Sequence, residues 1–397
     1  MNRLACALVL LLAFAAPTEA RAAAFDPALL QATIARASQL PRLHALIVAR
    51  DGAIEYERAL RGPSLDRPVN IKSASKTIID ALAGIAIGKG ILKSPDAPIL
   101  PLLKKRAPAK LDPRVSLVTL DHLMGMRAGL ERTSGRFNYG PWVASRDWVG
   151  FALSRPFTEE PGSTFQYSTG NTHLLSAILT DAAGKSTWDL AREWLGKPLG
   201  IEVPPWTRDP QGIYFGGNEM ALSPRALFRF AEMYRQGGVW NGVRVVPAEW
   251  IEASWTPKGS DRRGNGYGYG WFVAEAYGRR VYFGWGFGGQ MLYVVPSLGL
   301  TVIATSDSGT RSVDDGYICQ LHDLLVNGFM LAAMDRDETI PFAPVEICGP
   351  PLDDPQPMLR QTEVPDDLGL EQADGVGGDG IAETGMELLG QIGRAHV

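Results

Sequence analysis

A serine and a lysine stand three residues apart at the start of an apolar segment, in the stretch VNIKSASKTIIDALAGIAIGKG (residues 69–90). A serine hydroxyl is a weak nucleophile until a base takes its proton, and a lysine one helical turn later can reach that oxygen. The start of a helix also favours negative charge on an attacking oxygen. Ser73 and Lys76 therefore predict nucleophilic catalysis. The alternative is a helix cap at Ser73 and a solvated Lys76.

A second polar group follows a Pro-Gly turn, in FTEEPGSTFQYSTGNTHLLSAIL (157–179). Tyr167 stands just ahead of a predicted helix there, with the polar residues Ser168, Thr169 and Asn171 beside it. A phenol in this position can share a proton with a nearby amine. The alternative is a core tyrosine whose hydroxyl is satisfied within the protein.

A glycine-rich corner precedes a predicted strand in YFGWGFGGQMLYVVP (282–296). Small residues such as Gly288 and Gly289 let a backbone approach a substrate and direct an N–H group towards it. The glycines are equally compatible with a simple tight turn, and Trp285 and Phe287 with packing residues.

Taken together, these segments resemble the serine β-lactamase and penicillin-binding-protein superfamily, in the branch of class C β-lactamases, family VIII carboxylesterases and 6-aminohexanoate-dimer-hydrolase-like enzymes. The resemblance runs over residues 43–331. Three further segments support it: LDHLMGMRAGLE for the L-L-x-x-x-S-G-L segment, GKPLGI for P-L-G-I, and ALSPRALFRFAEMY for the M-S-P-R-D-L-A-R-F helix.

The resemblance implies roles for individual residues. Ser73 would be the acylated nucleophile, Lys76 its proton acceptor, and Tyr167 the tyrosine of the Y-x-N motif, which shares or relays that proton. The oxyanion hole would consist of the backbone N–H groups of Ser73 and Gln290. Phe287-Gly288-Gly289 would stand at the K-T-G or H-x-G motif.

Two positions depart from the family pattern. Thr169 replaces the asparagine of Y-x-N, and Phe287 replaces the cation of K-T-G. Because phenylalanine cannot hold a substrate carboxylate, we expect a neutral ester or amide to bind against an apolar wall of Trp285, Phe287 and Tyr139. Thr169, Asn171, Gly288 and Gly289 complete the predicted substrate site.

The hydrophobic pattern and the turn residues of the sequence also predict the strands and helices that would position these residues. A helix is predicted over 26–39, a hairpin turning at Asp51-Gly52 follows, and four strands return over 268–307 before a final helix over 313–334. Between them the chain is mostly helical, as in SPRALFRFAEMYRQGG, with Ser223 as N-cap, Pro224 first and Gly237 as C-cap. The predicted fold is α+β: an antiparallel sheet built from both chain ends, flanked by helices, with an inserted, mainly helical, lobe.

The two ends of the chain differ from the middle. Residues 1–24 have the basic start, apolar run and small residues of a secretory signal peptide, with cleavage expected near residues 22–24. Residues 25–345 form the predicted hydrolase domain. Residues 346–397 are acidic and rich in Pro and Gly, so we expect disorder there. The last residues, IGRAHV, match a translated sequencing adapter, so the natural terminus is expected to differ.

The composition of the chain excludes some classes of function. The chain has 397 residues and a net charge of −4, without the basic excess of nucleic-acid-binding proteins. Cys319 and Cys348 remain after signal removal, and their pairing is left open. No cysteine or histidine spacing indicates a metal site, and no cofactor, nucleic-acid partner or stable membrane anchor is expected.

The prediction is therefore a periplasmic or secreted serine hydrolase that cleaves a small ester or amide. The alternatives are a β-lactamase or D,D-peptidase and a binding protein without catalytic activity. The histidines His44, His122, His173 and His322 lie inside strand or helix patterns, and the sequence lacks a G-x-S-x-G elbow, which disfavours a Ser-His-Asp triad.

Overall fold

Eight strands form one antiparallel sheet in the computed structural model, which describes residues 24–135, 137–309 and 316–334. In chain order the strands of the protein are β1 (Leu43–Arg50), β2 (Ala53–Ala59), β3 (Val69–Asn70), β4 (Ala221–Leu222), β5 (Val239–Trp240), β6 (Val243–Arg244), β7 (Gly259–Ser260), β8 (Gly266–Tyr267), β9 (Phe272–Ala276), β10 (Arg279–Gly286), β11 (Gln290–Val295) and β12 (Leu300–Ser306). The large sheet has the order β2-β1-β12-β11-β10-β9-β8-β7. Since β1 pairs with β12, both ends of the described chain build the sheet, as predicted.

The hairpin between β1 and β2 turns at Asp51 and Gly52, with φ angles of 47° and 82°. Such left-handed conformations favour an Asp-Gly pair, because glycine adopts them without steric cost. The predicted hairpin is confirmed.

The helices lie mainly between β2 and β7. They are α1 (Pro27–Gln39), α2 (Ser75–Gly88), α3 (Ile99–Leu102), α4 (Leu120–Met124), α5 (Tyr139–Val143), α6 (Trp148–Leu153), α7 (Thr169–Ala183), α8 (Thr187–Ala191), α9 (Lys197–Leu199), α10 (Pro224–Arg235), α11 (Ala248–Trp255), α12 (Tyr317–Leu324) and α13 (Leu331–Ala333). Short 3₁₀ turns occupy Lys72–Ala74, Pro113–Leu117 and Pro296–Leu298, and π-helical segments occupy Arg192–Gly196 and Leu325–Met330.

Helix ends follow the capping residues in the sequence. Asp26 caps α1 by accepting hydrogen bonds from the backbone N–H groups of Ala28 and Leu29. Ser223 caps α10 in the same way, through Ala226 N–H. At the other end of α10 the capping residue is Gln236, one residue before the predicted Gly237, which follows with φ of +65°.

Both faces of the sheet are covered, which explains why its inner strands are apolar throughout. In β1, Ala45, Ile47 and Ala49 face the helical lobe, while Leu46 and Val48 pack on the side of α1 and α12. Successive residues of a strand point to opposite faces, so a strand buried on both sides shows no polar alternation.

Helix α2 lies at the centre of the molecule, against α7 and the end of β10. All but its last two residues are buried, including Lys76 and Asp80. A helix buried on most sides was predicted from its apolar sequence. Its first turn is thereby held rigidly beside the sheet.

Several predictions fall on the chain ends. The signal peptide and the acidic tail lie almost wholly outside the described residues, as does Cys348, whereas Cys319 is disulfide-bonded. Among the residues that the structure describes, no helix has the length and hydropathy needed to cross a bilayer.

Candidate active site

Ser73 lies in the 3₁₀ turn that precedes α2. It is only partly buried, while its neighbours Lys72 and Ala74 are enclosed. Lys72 has a φ of +50°, an unfavourable conformation for a residue with a side chain. Its backbone N–H donates to Asn70 Oδ1 (2.8 Å) and its ammonium group pairs with Glu219 (3.2 Å). These contacts hold the turn in a shape that presents Ser73 to solvent. The capping alternative does not apply, because the N-cap of α2 is Ala74.

Lys76 is buried, with 1% of its surface exposed, and its Nζ lies 3.1 Å from Ser73 Oγ. The same nitrogen donates to the carbonyl oxygen of Gly217 (2.7 Å) and to Thr169 Oγ1 (3.3 Å). Burial lowers the pKa of Lys76 to about 7, and the negative charge of Asp80 acts in the opposite direction. Near neutral pH a large fraction of Lys76 is therefore an uncharged amine beside Ser73 Oγ. The solvated alternative is wrong.

Tyr167 lies beside this pair. The Nζ atom of Lys76 lies 4.8 Å from the centre of the Tyr167 ring. Burial raises the pKa of Tyr167, and a hydrogen bond with Ser73 lowers it by less. The phenol therefore stays protonated near neutral pH, able to donate a hydrogen bond but not to act as the resting base. Its ring also stacks on Phe272, which fixes the side chain by packing.

Thr169 begins α7 at the bottom of the site. Its Oγ1 lies 2.8 Å from Ser134 Oγ, and its backbone N–H donates to the same oxygen. This double contact holds the threonine hydroxyl against Lys76. Asn171, predicted beside it, is buried elsewhere, with its amide nitrogen 4.0 Å from Met126 Sδ, and does not line the cleft.

A cleft of about 290 Å³ opens above Ser73. One side of its lining is aromatic and consists of Phe165, Tyr167, Phe272, Trp285 and Phe287. The other lining residues are polar or small: Arg132, Ser134, Gly135, Thr169 and Asp261. Trp285 and Phe287 thus lie where the predicted substrate wall placed them. A larger groove of about 940 Å³, lined by Lys185 to Pro205, contains none of the predicted site residues.

Tyr139 is not part of this wall. It is 97% enclosed, its hydroxyl accepts a hydrogen bond from Asn218 (3.0 Å), and its ring stacks on Phe215. The prediction rested on its place in an aromatic loop, but the side chain turns into the helical core.

Comparison with known proteins identifies the family. The family model described as Beta-lactamase matches residues 42–321. The chain belongs to this family. No curated protein sequence matches the chain.

Several solved structures share the fold of this chain at low sequence identity. A putative 6-aminohexanoate-dimer hydrolase from Bacillus anthracis is 19% identical with a TM-score of 0.60, over 74% of this chain and 79% of that one. A putative beta-lactamase from Bacteroides dorei is 17% identical with a TM-score of 0.60, over 77% and 99%. EstCE1, a hydrolase with promiscuous acyltransferase activity, is 19% identical with a TM-score of 0.62, over 75% and 98%. The chain thus shares the fold of these three structures.

The glycine corner at the K-T-G position of the family forms the hairpin between β10 and β11. Gly288 and Gly289 have φ angles of +83° and +96°, so their main role in the structure is the turn itself. Neither lines the cleft. Gln290 begins β11, and its side-chain amide donates to the backbone oxygen of Ser306 (2.7 Å). The oxyanion role of its N–H stays a prediction.

Gly286, just before this corner, lies against the turn that carries Ser73. A Cβ atom there would lie 2.2 Å from the carbonyl oxygen of Ile71 and 3.2 Å from the backbone nitrogen of Ala74. Gly284 likewise lies against Thr77 at the start of α2. Positions 284 and 286 at the end of β10 can therefore pack against the nucleophile turn and the start of α2 only without side chains.

His173 does not touch Ser73. Its Nε2 lies 3.1 Å from the buried Asp209 carboxylate, and its Nδ1 accepts a hydrogen bond from the backbone N–H of Gly216. The histidine thereby orders the segment whose next residue, Gly217, accepts a hydrogen bond from Lys76. This supporting role agrees with the expectation that the histidines are structural.

Several residues of the site were not predicted from the sequence; Gly217 and Arg132 are two of them, and Ser134, Gly135, Phe165, Asp261 and Phe272 also line the cleft. Gly217 acts through its backbone carbonyl, which no side-chain motif reveals, and a Cβ atom there would lie 3.2 Å from Lys76 Nζ. Arg132 lines the cleft from the loop directly after the LDHLMGMRAGLE segment, for which no side-chain role was predicted. Among the described residues no group of His, Cys, Asp and Glu side chains is placed to hold a metal ion.

Proposed function

We propose that the protein is a serine hydrolase that cleaves a small ester or amide through an acyl-enzyme on Ser73. The observation that carries the proposal is the 3.1 Å approach of a buried amine, Lys76 Nζ, to the Ser73 hydroxyl. Gly217 and Thr169 accept the two N–H bonds of the neutral amine, so its lone pair is left for the serine proton.

The reaction has two halves. Lys76 takes the proton of Ser73 as Oγ attacks the substrate carbonyl carbon, and backbone N–H groups of Ser73 and the Gly286–Gln290 corner bind the resulting oxyanion. Tyr167, a neutral phenol near pH 7, relays a proton to the leaving group. Water then hydrolyses the ester on Ser73, with Lys76 and Tyr167 acting again as proton acceptor and relay.

The lining of the cleft supports an apolar acyl or leaving group. Phe165, Phe272, Trp285 and Phe287 give it aromatic walls, and the family cation of K-T-G is replaced by Phe287. We propose p-nitrophenyl esters of short acids as first substrates. We also propose export to the periplasm or medium, on the basis of the predicted signal peptide.

One observation favours the second candidate, a β-lactamase or D,D-peptidase. Arg132 lines the cleft, and its guanidinium group has no ion pair within the described chain, so it could bind a substrate carboxylate. Nitrocefin and a fluorescent penicillin separate the two candidates. A stable penicillin adduct on Ser73, with no ester hydrolysis, would favour the penicillin-recognising enzyme.

The deciding experiment is Ser73→Ala, assayed with a p-nitrophenyl ester over pH 5–9. We expect kcat/KM to fall by at least about 10³-fold and labelling by a fluorophosphonate probe to disappear. In the unmutated protein kcat/KM should rise as pH passes about 7, because the amine of Lys76 must lose its proton to act as a base. Hydrolysis by Ser73→Ala at the parental rate would refute the assignment. An unlabelled, inactive parent would point to the non-catalytic alternative.

A further inference from the structure

The corner between β10 and β11, residues 286–290, must keep its N–H groups fixed in direction if they are to bind an oxyanion. Donors stabilise a developing negative charge best when they are oriented before the reaction begins. The sequence of the corner does not provide this rigidity, because Gly288 and Gly289 have φ angles of +83° and +96° and glycine has the greatest conformational freedom of any residue. Contacts from outside the corner must therefore fix its shape.

The side chain of Gln290 connects the corner to the end of β12. Gln290 is buried, and its amide nitrogen donates to the backbone oxygens of Ser306 (2.7 Å) and Phe287 (3.4 Å). Its amide oxygen accepts a hydrogen bond from the backbone N–H of Ser306 (3.2 Å). The two contacts with Ser306 settle which end of the amide is the nitrogen, because an N–H group needs an acceptor and a carbonyl oxygen needs a donor. The backbone oxygen of Phe287 is thereby tied to the sheet.

The hydroxyl group of Ser306 holds the other side of the corner. Its Oγ atom lies 3.0 Å from the backbone oxygen of Gly289 and 2.8 Å from the hydroxyl oxygen of Tyr317 in α12. A carbonyl oxygen can only accept, and a serine hydroxyl has a single proton, so Ser306 donates to Gly289 and Tyr317 donates to Ser306. Hydrogen bonds in such a chain polarise one another. Helix α12 thus supports the corner through Ser306.

These contacts also set the direction of the N–H groups in the corner. Within the corner, the N–H of Gly289 donates to the backbone oxygen of Gly286 (3.1 Å). The backbone oxygens of Gly286, Phe287 and Gly289 therefore each accept a hydrogen bond. In a trans peptide the C=O bond and the following N–H bond point in opposite directions. The same contacts therefore orient the N–H groups of Phe287, Gly288 and Gln290.

We propose that Gln290 and Ser306 are positioning residues whose side chains hold the corner in the shape that binds the oxyanion. In the step concerned, Ser73 Oγ bonds to the substrate carbonyl carbon, the π electrons of the C=O bond move to its oxygen, and the serine proton goes to Lys76 Nζ. The two positioning side chains exchange no proton. Phe287 of the corner lines the cleft together with Ser73, so a displaced corner would change the surroundings of the reacting atoms. This inference rests on the proposed function and adds to it the side chains that preorganise the site.

The first test is Ser306→Ala, which removes one hydroxyl group and leaves the backbone of β12 in place. Without that donor the peptide between Gly289 and Gln290 can rotate, and stabilisation is lost in the transition state but not in the bound substrate. We expect kcat to fall about 10-fold for a p-nitrophenyl ester, with KM within about 2-fold of the parental value. The rate of fluorophosphonate labelling should fall by a similar factor, because attack on phosphorus also places negative charge on an oxygen.

Gln290→Glu tests the second side chain. A carboxylate has the shape of the amide but cannot donate, so it would face the backbone oxygens of Phe287 and Ser306 without a hydrogen bond. We expect kcat to fall about 10²-fold, again with little change in KM. Gln290→Met is uncharged and of similar length but also lacks the donors, so its kcat should fall by the same order. A parental kcat in Gln290→Met would show that the added charge caused the loss, and would overturn the role of Gln290.

A matched control separates positioning from stability. Ser254 is buried in α11, is not among the residues that line the cleft, and donates its hydroxyl hydrogen bond to the backbone oxygen of Trp250 (2.7 Å). Ser254→Ala therefore removes the same kind of hydrogen bond outside the cleft lining. Its melting temperature should fall about as much as that of Ser306→Ala, while its kcat stays at the parental value.

The outcomes are distinct. A folded Ser306→Ala protein with the parental kcat would overturn the inference, and so would equal losses of kcat in Ser254→Ala and Ser306→Ala. A higher KM with unchanged kcat would also contradict it, because the corner would then act in substrate binding. If neither Ser306→Ala nor Gln290→Met folds, the two side chains are structural and the inference is lost. Ester hydrolysis that persists in Ser73→Ala would instead overturn the proposed function.

Discussion

At the scale of single residues, the proposed reaction depends on the direction in which the lone pair of the Lys76 amine points. A neutral amine has two N–H bonds and one lone pair, and in this protein two neighbouring oxygens can take the N–H bonds: Gly217 O at 2.7 Å and Thr169 Oγ1 at 3.3 Å. The family places asparagine where Thr169 stands. A threonine hydroxyl accepts a hydrogen bond as an amide oxygen does, so this departure is compatible with catalysis.

Replacement of Thr169 by valine tests this orientation. Valine has nearly the same shape but no acceptor, so one N–H bond of Lys76 would lose its partner and the lone pair would no longer be fixed towards Ser73. We expect kcat/KM to fall about 10- to 100-fold for a p-nitrophenyl ester. Thr169→Ser keeps the hydroxyl and should retain most of the activity. Equal activity of the valine and serine variants would show that the hydroxyl has no such role.

Among the structural elements, those with local signals were predictable from the sequence. The hairpin at Asp51 and Gly52 and the start of α10 at Ser223 follow from the conformational preferences of these residues, and both predictions are confirmed. The approach of Tyr167 to the pair Ser73 and Lys76 came from the family resemblance, because nothing local specifies a contact between segments about 90 residues apart.

Side-chain direction inside the helical lobe could not be predicted. Tyr139 and Asn171 lie in the expected segments, but they point into the core, and which face of a short helix is buried depends on tertiary neighbours. Gly217 was missed because it acts through its backbone carbonyl, which leaves no signal in the side-chain pattern.

The end of β10 is the element that sets the distance between the sheet and the nucleophile turn. Beyond Phe283 this strand no longer pairs with β9, and Gly284 and Gly286 lie against the first residues of α2 and the turn before it. A Cβ atom at position 286 would meet a backbone oxygen at 2.2 Å, and backbone cannot rotate away as a flexible side chain could.

Gly286→Ala should therefore displace β10 from the turn that carries Ser73. We expect a loss of about 1–3 kcal/mol in the free energy of unfolding from overpacking. We also expect a fall of about 10²-fold in kcat/KM, because a shift of about 1 Å between reacting groups has effects of this size. Gly140→Ala, in α5, is the matched control: its added Cβ atom would meet nothing within 4 Å. A fully active Gly286→Ala protein would contradict this account of the strand.

At the scale of the whole molecule, a buried carboxylate joins α10 to strands from both ends of the described chain. Glu232 of α10 is 1% exposed and accepts hydrogen bonds from Arg235 (2.6 Å) and from Thr301 of β12 (2.8 Å). Arg235 in turn pairs with Asp51 in the turn between β1 and β2. A second ion pair, between Arg225 and Glu57 of β2, connects the same helix to the sheet, but its side chains are about one-third exposed.

The two carboxylates should differ in their effect on stability, because desolvation makes a broken buried pair far more costly than a broken exposed one. Glu232→Gln leaves the buried charge of Arg235 with a weaker partner, and we expect the free energy of unfolding in urea to fall by about 3 kcal/mol. For Glu57→Gln the expected loss is below about 1 kcal/mol. Neither residue lines the cleft, so kcat/KM at 25 °C should stay at the parental value in both variants. Equal losses of stability in the two variants would mean that the buried hydrogen bonds of Glu232 connect α10 to the sheet no more strongly than the exposed pair of Arg225 and Glu57 does.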